Sequence, residues 1–226
     1  HQVVFAGVAR AALITKAPLI VWGEDIGVEF GGNISETSLN DGSAEDLIEN
    51  DLFNQVPLKN LLKGRIPQNE LFFYNHPEKN EFLKRKIKSI YLSYYHRWDG
   101  YEHYLLAKKF GFKGREDGLL SGNILNYDNI DEKLCEIHIW FKMLKFGFWR
   151  PTDQCCYQIW NKRMNRDDAV DLVLEKQYEF PDEYLNEFLE YHEITEKELY
   201  KCMEKFRNLN LWHKVNKKWR LKYEVN

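Results

Sequence analysis

Ala17-Pro18-Leu19-Ile20-Val21-Trp22-Gly23-Glu24 is the stretch that decides the fold. Pro18 cannot continue a helix. Leu19 to Trp22 is an uninterrupted apolar run of strand length, and Gly23 closes it. The run predicts a short strand buried on both faces, as in a parallel sheet. Immediately upstream, Val3 to Thr15 is apolar or small with helical character. A helix feeding such a strand is the αβ half of a βαβ unit. A second pair follows: Glu78 to Lys88 is charged and helical, and Ile90 to Tyr95 is rich in β-formers and reads as a second buried strand. That strand leads to Trp98-Asp99-Gly100, with Asp99 a plausible cap for a helix over Tyr101 to Phe110.

Between the two pairs lies a loop rich in Gly, Asn and Ser, from Gly23 to Gly42. Loops of this length are usually functional or disordered. Ser43 reads as the N-cap of a helix over Ala44 to Phe53, and Pro57 to Lys63 as a shorter helix stopped by Gly64.

From Ile130 onward the pattern is helical throughout. Ile130 to Phe146 is stopped by Gly147, and Thr152 to Asn161 forms the next helix. Asn165 caps Arg166 to Gln177, and Pro181 opens Asp182 to Tyr191. Thr195-Glu196-Lys197-Glu198 fits a capping box before Leu199 to Leu209. Trp212 and Trp219 belong to a tail that packs back as an arm. The layout is an α/β part over residues 1–110 and a helical part over residues 111–226. Two strands make only part of a doubly wound parallel sheet, so further strands are expected before His1.

The chain has 226 residues, 44% of them hydrophobic, so a sizeable core can form. The formal net charge of -3 argues against a general nucleic-acid binder, which carries a basic excess. Lys214, Lys217, Lys218, Arg220 and Lys222 gather at the tail and read as a solvated face. Ala11 to Trp22 is the most apolar stretch, but Lys16 and Pro18 interrupt it. It is too short to span a bilayer and lacks the features of a signal peptide. A cytoplasmic location is expected. Cys135, Cys155, Cys156 and Cys202 match no zinc or redox spacing and read as free thiols, with Cys155 and Cys156 on different helix faces.

In open parallel sheets, ligands bind beyond the carboxyl ends of the strands. Gly23-Glu24-Asp25 with Glu29-Phe30-Gly31-Gly32, and Trp98-Asp99-Gly100, are acidic glycine-bearing segments at those ends. Carboxylates there suit Mg²⁺ on a polyphosphate, and glycines let backbone approach phosphate. The same residues also suit ordinary turns, a core aromatic and a helix cap.

Ala17 to Glu24 followed by Glu29-Phe30-Gly31-Gly32 resembles the N-acetyl sugar amidotransferases, PP-loop ATP pyrophosphatases of lipopolysaccharide and nonulosonic acid biosynthesis. The same loop is similar to that of asparagine synthetases. The resemblance continues collinearly to about Gln177, through Tyr95 to Gly100, Arg115-Glu116, Asn126-Tyr127-Asp128, Ile130 to Lys133, His138, Lys145-Phe146-Gly147, Arg150, Thr152-Asp153 and Arg166 to Ala169. It departs from the family in two respects. The ATP signature Ser-Gly-Gly-Lys-Asp-Ser and the family's N-terminal Cys pairs are not in the chain, and both are expected before His1. The segment Glu116-Asp117-Gly118-Leu119 also differs from the family's Glu-Gly-Thr.

The resemblance implies an adenine nucleotide alpha hydrolase-like sheet, ATP and Mg²⁺, and conversion of a sugar N-acetyl group to acetamidino. Ammonia would come from a partner glutaminase subunit. On this reading Glu24 and Asp99 are the catalytic candidates, and Glu24 and Glu29 position Mg²⁺-pyrophosphate. Gly23, Glu29, Gly31 and Gly32 line the nucleotide site. Arg115, His138, Lys145, Arg150 and Asp153 are candidate substrate contacts. Arg115 and Arg150 read equally as surface ion pairs, His138 as a core histidine, and Asp153 as a charge at a helix start. Two other readings stay open. One is a non-catalytic helical module docking on another subunit. The other is a tRNA-modifying adenylating enzyme, which the charge disfavours.

Overall fold

The computed structural model describes residues 2–23, 66–75 and 77–226. The chain divides into two compact units, His1–Trp98 and Asp99–Asn226. Residues 24–65, which include Glu24, Glu29, Gly31, Gly32 and the helices expected over 44–53 and 57–63, lie outside the described residues.

In the first unit, helix α1 (Gln2–Thr15) precedes strand β1 (Leu19–Trp22). Phe5, Ala9 and Ala12 recur at helical spacing and form one core with Ile20 and Trp22 of β1. Phe82 of α2 (Lys79–Arg85), Ile87, and Tyr91 of β2 (Lys88–Tyr91) complete it. The Phe5 and Trp22 rings lie 4.5 Å apart. Trp22 Nε1 donates to Ser89 Oγ at 2.8 Å, so its polar edge is satisfied where it is buried.

β1 and β2 pair in parallel, Leu19 opposite Lys88 and Trp22 opposite Tyr91, giving the expected α/β unit around a two-stranded parallel sheet. Burial on both faces is not what the structure shows. Ile20 and Trp22 point into the core, while Leu19 and Val21 are 46% and 51% exposed.

The second strand also begins and ends earlier than its β-formers predict. Lys86, in the left-handed conformation, closes α2 with its N–H on Leu83 and Phe82 carbonyls, and the chain extends at once from Lys88. Leu92–Tyr95 then coils into a single helical turn, α3, with His96 N–H on the Leu92 carbonyl at 2.9 Å. Local closure overrides β-propensity there.

The second unit holds α4 (Gly100–Lys109), α5 (Cys135–Phe146), α6 (Arg150–Trp160), α7 (Arg166–Lys176), α8 (Leu185–His192) and α9 (Glu196–Phe206). An antiparallel hairpin ends it, β3 (Trp212–Val215) and β4 (Lys218–Leu221). Its core joins Ile137, Trp140, Met143 and Leu144 of α5 to Trp149, Phe188, Leu199, Met203, Trp212 and Leu221. Asn165 caps α7 as expected, and the Thr195–Glu198 capping box at α9 is fully formed.

Three expectations need correction. α5 starts at Cys135, not Ile130: Asn129 is left-handed, and Leu134, whose N–H donates to Glu132 Oε1 at 2.6 Å, is the N-cap. α8 starts at Leu185, with Tyr184 as its N-cap rather than Pro181 opening it. The tail, expected as an arm that packs back, does so as a β-hairpin inside a part expected to be helical: Asn216 and Lys217 both take positive φ, the geometry of a tight two-residue turn. Among the described residues no helix is long and apolar enough to cross a membrane.

Candidate functional site

The loop 118–129 is fastened from two sides. Gly122, at φ +72°, lies against the Trp149 indole so closely that an added Cβ would meet Cζ2 at 2.2 Å. Its N–H donates to Glu179 Oε2 at 2.8 Å, and the Ser121 N–H donates to Glu183 Oε1 at 2.5 Å. Trp149 is fully buried, anchored by Nε1 on the Gln177 carbonyl at 3.0 Å and set edge-on to Trp140.

This loop delivers Asn123 and Asp128 into a polar network held by α5 and α6. Arg150 Nη2 meets Glu136 Oε1 at 3.1 Å, and Arg150 Nη1 meets Asp128 Oδ2 at 3.4 Å. Asn123 Nδ2 donates to Glu136 Oε2 at 3.1 Å. Gln154 Nε2 donates to Asn123 Oδ1 at 2.8 Å and to Asp128 Oδ2 at 3.0 Å, and Gln154 Oε1 accepts the Ile124 N–H at 2.7 Å. Asn123, Glu136, Arg150 and Gln154 are all buried. Buried polar groups persist only when paired in this way. Arg150 Nε is the one buried atom of the group without a partner. Burial, with the Asp128 carboxylate nearby, pushes the neighbouring Tyr127 hydroxyl up to about 12, so it stays neutral. Its ring stacks on Tyr104 at 4.2 Å.

A groove of about 640 Å³ is lined by Glu132, Leu134, His138, Phe141, Phe188, Tyr191 and His192. Phe188, Tyr191 and His192 lie at helical spacing on α8, with the Phe188 and His192 rings 4.4 Å apart. One turn earlier, the Tyr184 hydroxyl accepts from Arg115 Nη1 at 2.6 Å, and Lys133 sits 5.3 Å over the Tyr184 ring. An aromatic wall with a few polar groups at its rim is the usual make-up of a small-molecule site, and the volume falls in the usual range.

The residues singled out from sequence take separate places. His138 is exposed and lines the groove, so it is not a core histidine. Arg115 holds Asp117 Oδ2 at 2.6 Å as well as Tyr184. Arg150 is the centre of the buried network. Lys145 is exposed, with Nζ over the Phe206 ring at 4.7 Å. Asp153 accepts from Lys142 Nζ at 2.6 Å. No hydrogen bond or ion pair joins any two of these five.

Asp99 caps α4, accepting the Tyr101 and Glu102 N–H groups, and its two oxygens face Arg163 Nη1 at 3.0 Å and Nη2 at 2.5 Å. Burial pushes its carboxyl up, but the Arg163 guanidinium and the two N–H groups outweigh that and hold it below the ordinary carboxylate value. Gly23 directly follows β1, with open space where a Cβ would stand. The remaining nucleotide-site candidates lie outside the described residues. Among the described residues no three His, Cys, Asp or Glu side chains converge to hold a metal.

Sequence reasoning missed Asn123, Glu136 and Gln154, whose polarity gives no sign of burial. It also missed Tyr191 and His192, whose spacing from Phe188 was the available signal.

Residues 121–225 match the model of the LPS biosynthesis protein WbpG-like, C-terminal domain. The matched span takes in the Ser121–Asp128 loop, the buried network, the groove and the hairpin. No curated protein matches the chain.

Proposed function

We propose that the protein carrying this chain is an ATP-dependent N-acetyl sugar amidotransferase of surface-polysaccharide synthesis. The observation that carries the reading is the match of residues 121–225 to a lipopolysaccharide-biosynthesis domain. It stands directly downstream of a helix–strand unit whose two strands run parallel. Parallel strands offer their carboxyl ends as a ligand site, and Gly23 and Glu24 follow one of them in sequence.

An amide is a poor electrophile, so its oxygen must first become a leaving group. The acetamido oxygen attacks the α-phosphorus of ATP and pyrophosphate departs. Ammonia, supplied by a glutaminase partner, then adds to the imidate carbon. AMP leaves with the former amide oxygen and a proton is lost, which gives the acetamidino group. In sequence, Gly23, Gly31 and Gly32 are residue types that would let backbone N–H groups approach the phosphates, and Glu24 and Glu29 are the carboxylates that would hold Mg²⁺. Bound there, the ion would supply charge neutralisation for departing pyrophosphate. The described residues alone form no metal site, so the Mg²⁺ assignment rests on Glu24 and Glu29.

The α5–α8 groove takes the sugar. The C–H face of a pyranose suits the Tyr191 and Phe188 rings, and hydroxyls suit His138, His192 and Glu132. Arg150 braces the 118–129 loop through Asp128, and Asp99 fixes the start of α4. In the protein that carries this chain, Glu24→Gln abolishes pyrophosphate release without moving the unfolding midpoint. Release at the unsubstituted rate removes Glu24 from the site.

A further inference from the structure

From Lys205 to Tyr223 the chain holds seven Lys and Arg residues and no Asp or Glu. The whole chain is at -3, so the remainder carries -10. Folding concentrates this charge. Trp212 and Leu221 pair across the hairpin and are buried, which leaves its far end, Lys214 to Lys218, exposed. Among the described residues, Arg207 is the one cation of the seven in an ion pair, with Glu204 at 2.8 Å. Lys222 Nζ reaches only a backbone carbonyl, that of Leu209, and Arg220 lies over the Tyr178 ring. Among the described residues Lys214, Lys217 and Lys218 form no ion pair.

Apolar side chains stand exposed on the same segment: Leu209 at 63%, Val215 at 44% and Tyr223 at 79%. A solvated charged face has no need of them. Cations interleaved with exposed apolar and aromatic groups match an anionic bilayer surface, where ammonium groups meet headgroups and apolar tips enter the interface.

A nucleic acid is the poorer fit. The aromatic that would stack on a base, Trp219, already has Arg207 at 4.7 Å and Lys214 at 4.8 Å over its ring. The exposed cations are Lys, which lacks the bidentate fork used to read bases.

We propose that the β3–β4 hairpin is a peripheral docking surface for anionic membrane lipid. It shares no residue with the groove or with the β1 and β2 strands, and it stands whether or not the amidotransferase reading does. The test is co-sedimentation of the full chain with vesicles of phosphatidylcholine alone, and with an about 3:1 phosphatidylcholine–phosphatidylglycerol mixture whose negative surface attracts cations.

The expected result is binding to the mixed vesicles only, weakened by added salt. Each Lys near such a surface contributes about fivefold, so the double variant Lys217→Gln/Lys218→Gln binds about 25-fold more weakly. Both residues lie in the exposed turn, and an unchanged unfolding midpoint excludes a folding defect. Equal binding to both vesicle types, no binding to either, or an unchanged double variant overturns the proposal. So does tighter binding to single-stranded RNA than to the mixed vesicles at the same salt.

Discussion

Arg150→Met separates a brace from a substrate clamp. The Arg150 side chain is 10% exposed and that of Glu136 is 3% exposed, with 3.1 Å between Nη2 and Oε1. Met keeps most of the aliphatic volume and removes the charge. Glu136 then retains Asn123 as its partner but loses its counter-ion in a site water barely reaches. Breaking a buried pair in this way costs about 3–5 kcal/mol, most of it from the stranded charge. Asp128 is one-third exposed and contributes less. Adding Glu136→Gln removes the stranded charge while keeping an oxygen for Asn123, so the double variant regains about half of the loss. Urea unfolding followed by tryptophan fluorescence measures this, since Trp140 and Trp149 lie in the adjoining core. A midpoint loss worth under about 1 kcal/mol in Arg150→Met, or no recovery in the double variant, refutes the brace. A raised KM for sugar with unchanged stability would instead make Arg150 a substrate contact.

Gly122→Ala drives a methyl into the Trp149 ring at a left-handed position, so the urea midpoint should fall by an amount worth about 2–4 kcal/mol. Asp99 titrates below the ordinary carboxylate value in the fold, so its contribution is present at neutral pH. It is lost as pH falls through that depressed value. Asp99→Asn should therefore lower the melting temperature at neutral pH and flatten its decline in acid, as thermal scans across pH would read out. Tyr191 is 71% exposed, so Tyr191→Ala should leave the melting temperature in place and raise KM for the sugar severalfold in steady-state assays. An unchanged KM would remove the α8 groove from substrate binding.

Local punctuation carried most of the fold into view. Pro18 and Gly23 bound β1, Asn165 caps α7, and Thr195 with Glu198 caps α9. Each acts within a few residues, where sequence is directly informative. The misread parts turn on local backbone closures that residue propensity alone does not show. Tyr94 and Tyr95 favour strand, yet the chain coils there. The tail hairpin hid behind a run of lysines, although Asn216 at its turn is a recognisable signal.

The candidate site was legible only in pieces. Arg150 and His138 could be singled out as types. That one would be buried between Asp128 and Glu136, and the other exposed beside Tyr191 and His192, follows from packing between elements. Asp99 shows how one residue serves two readings. Its place before a helix predicts a cap, and the structure gives it that role with Arg163 added.

Nitrogen transfer is the decisive reaction. The protein carrying this chain, given ATP, Mg²⁺, isotopically labelled ammonia and an N-acetylated nucleotide sugar, should place the label in an acetamidino group on the sugar. One AMP and one pyrophosphate should form for each sugar converted. Label absent from the sugar, or ATP cleaved to ADP and phosphate instead, would contradict it.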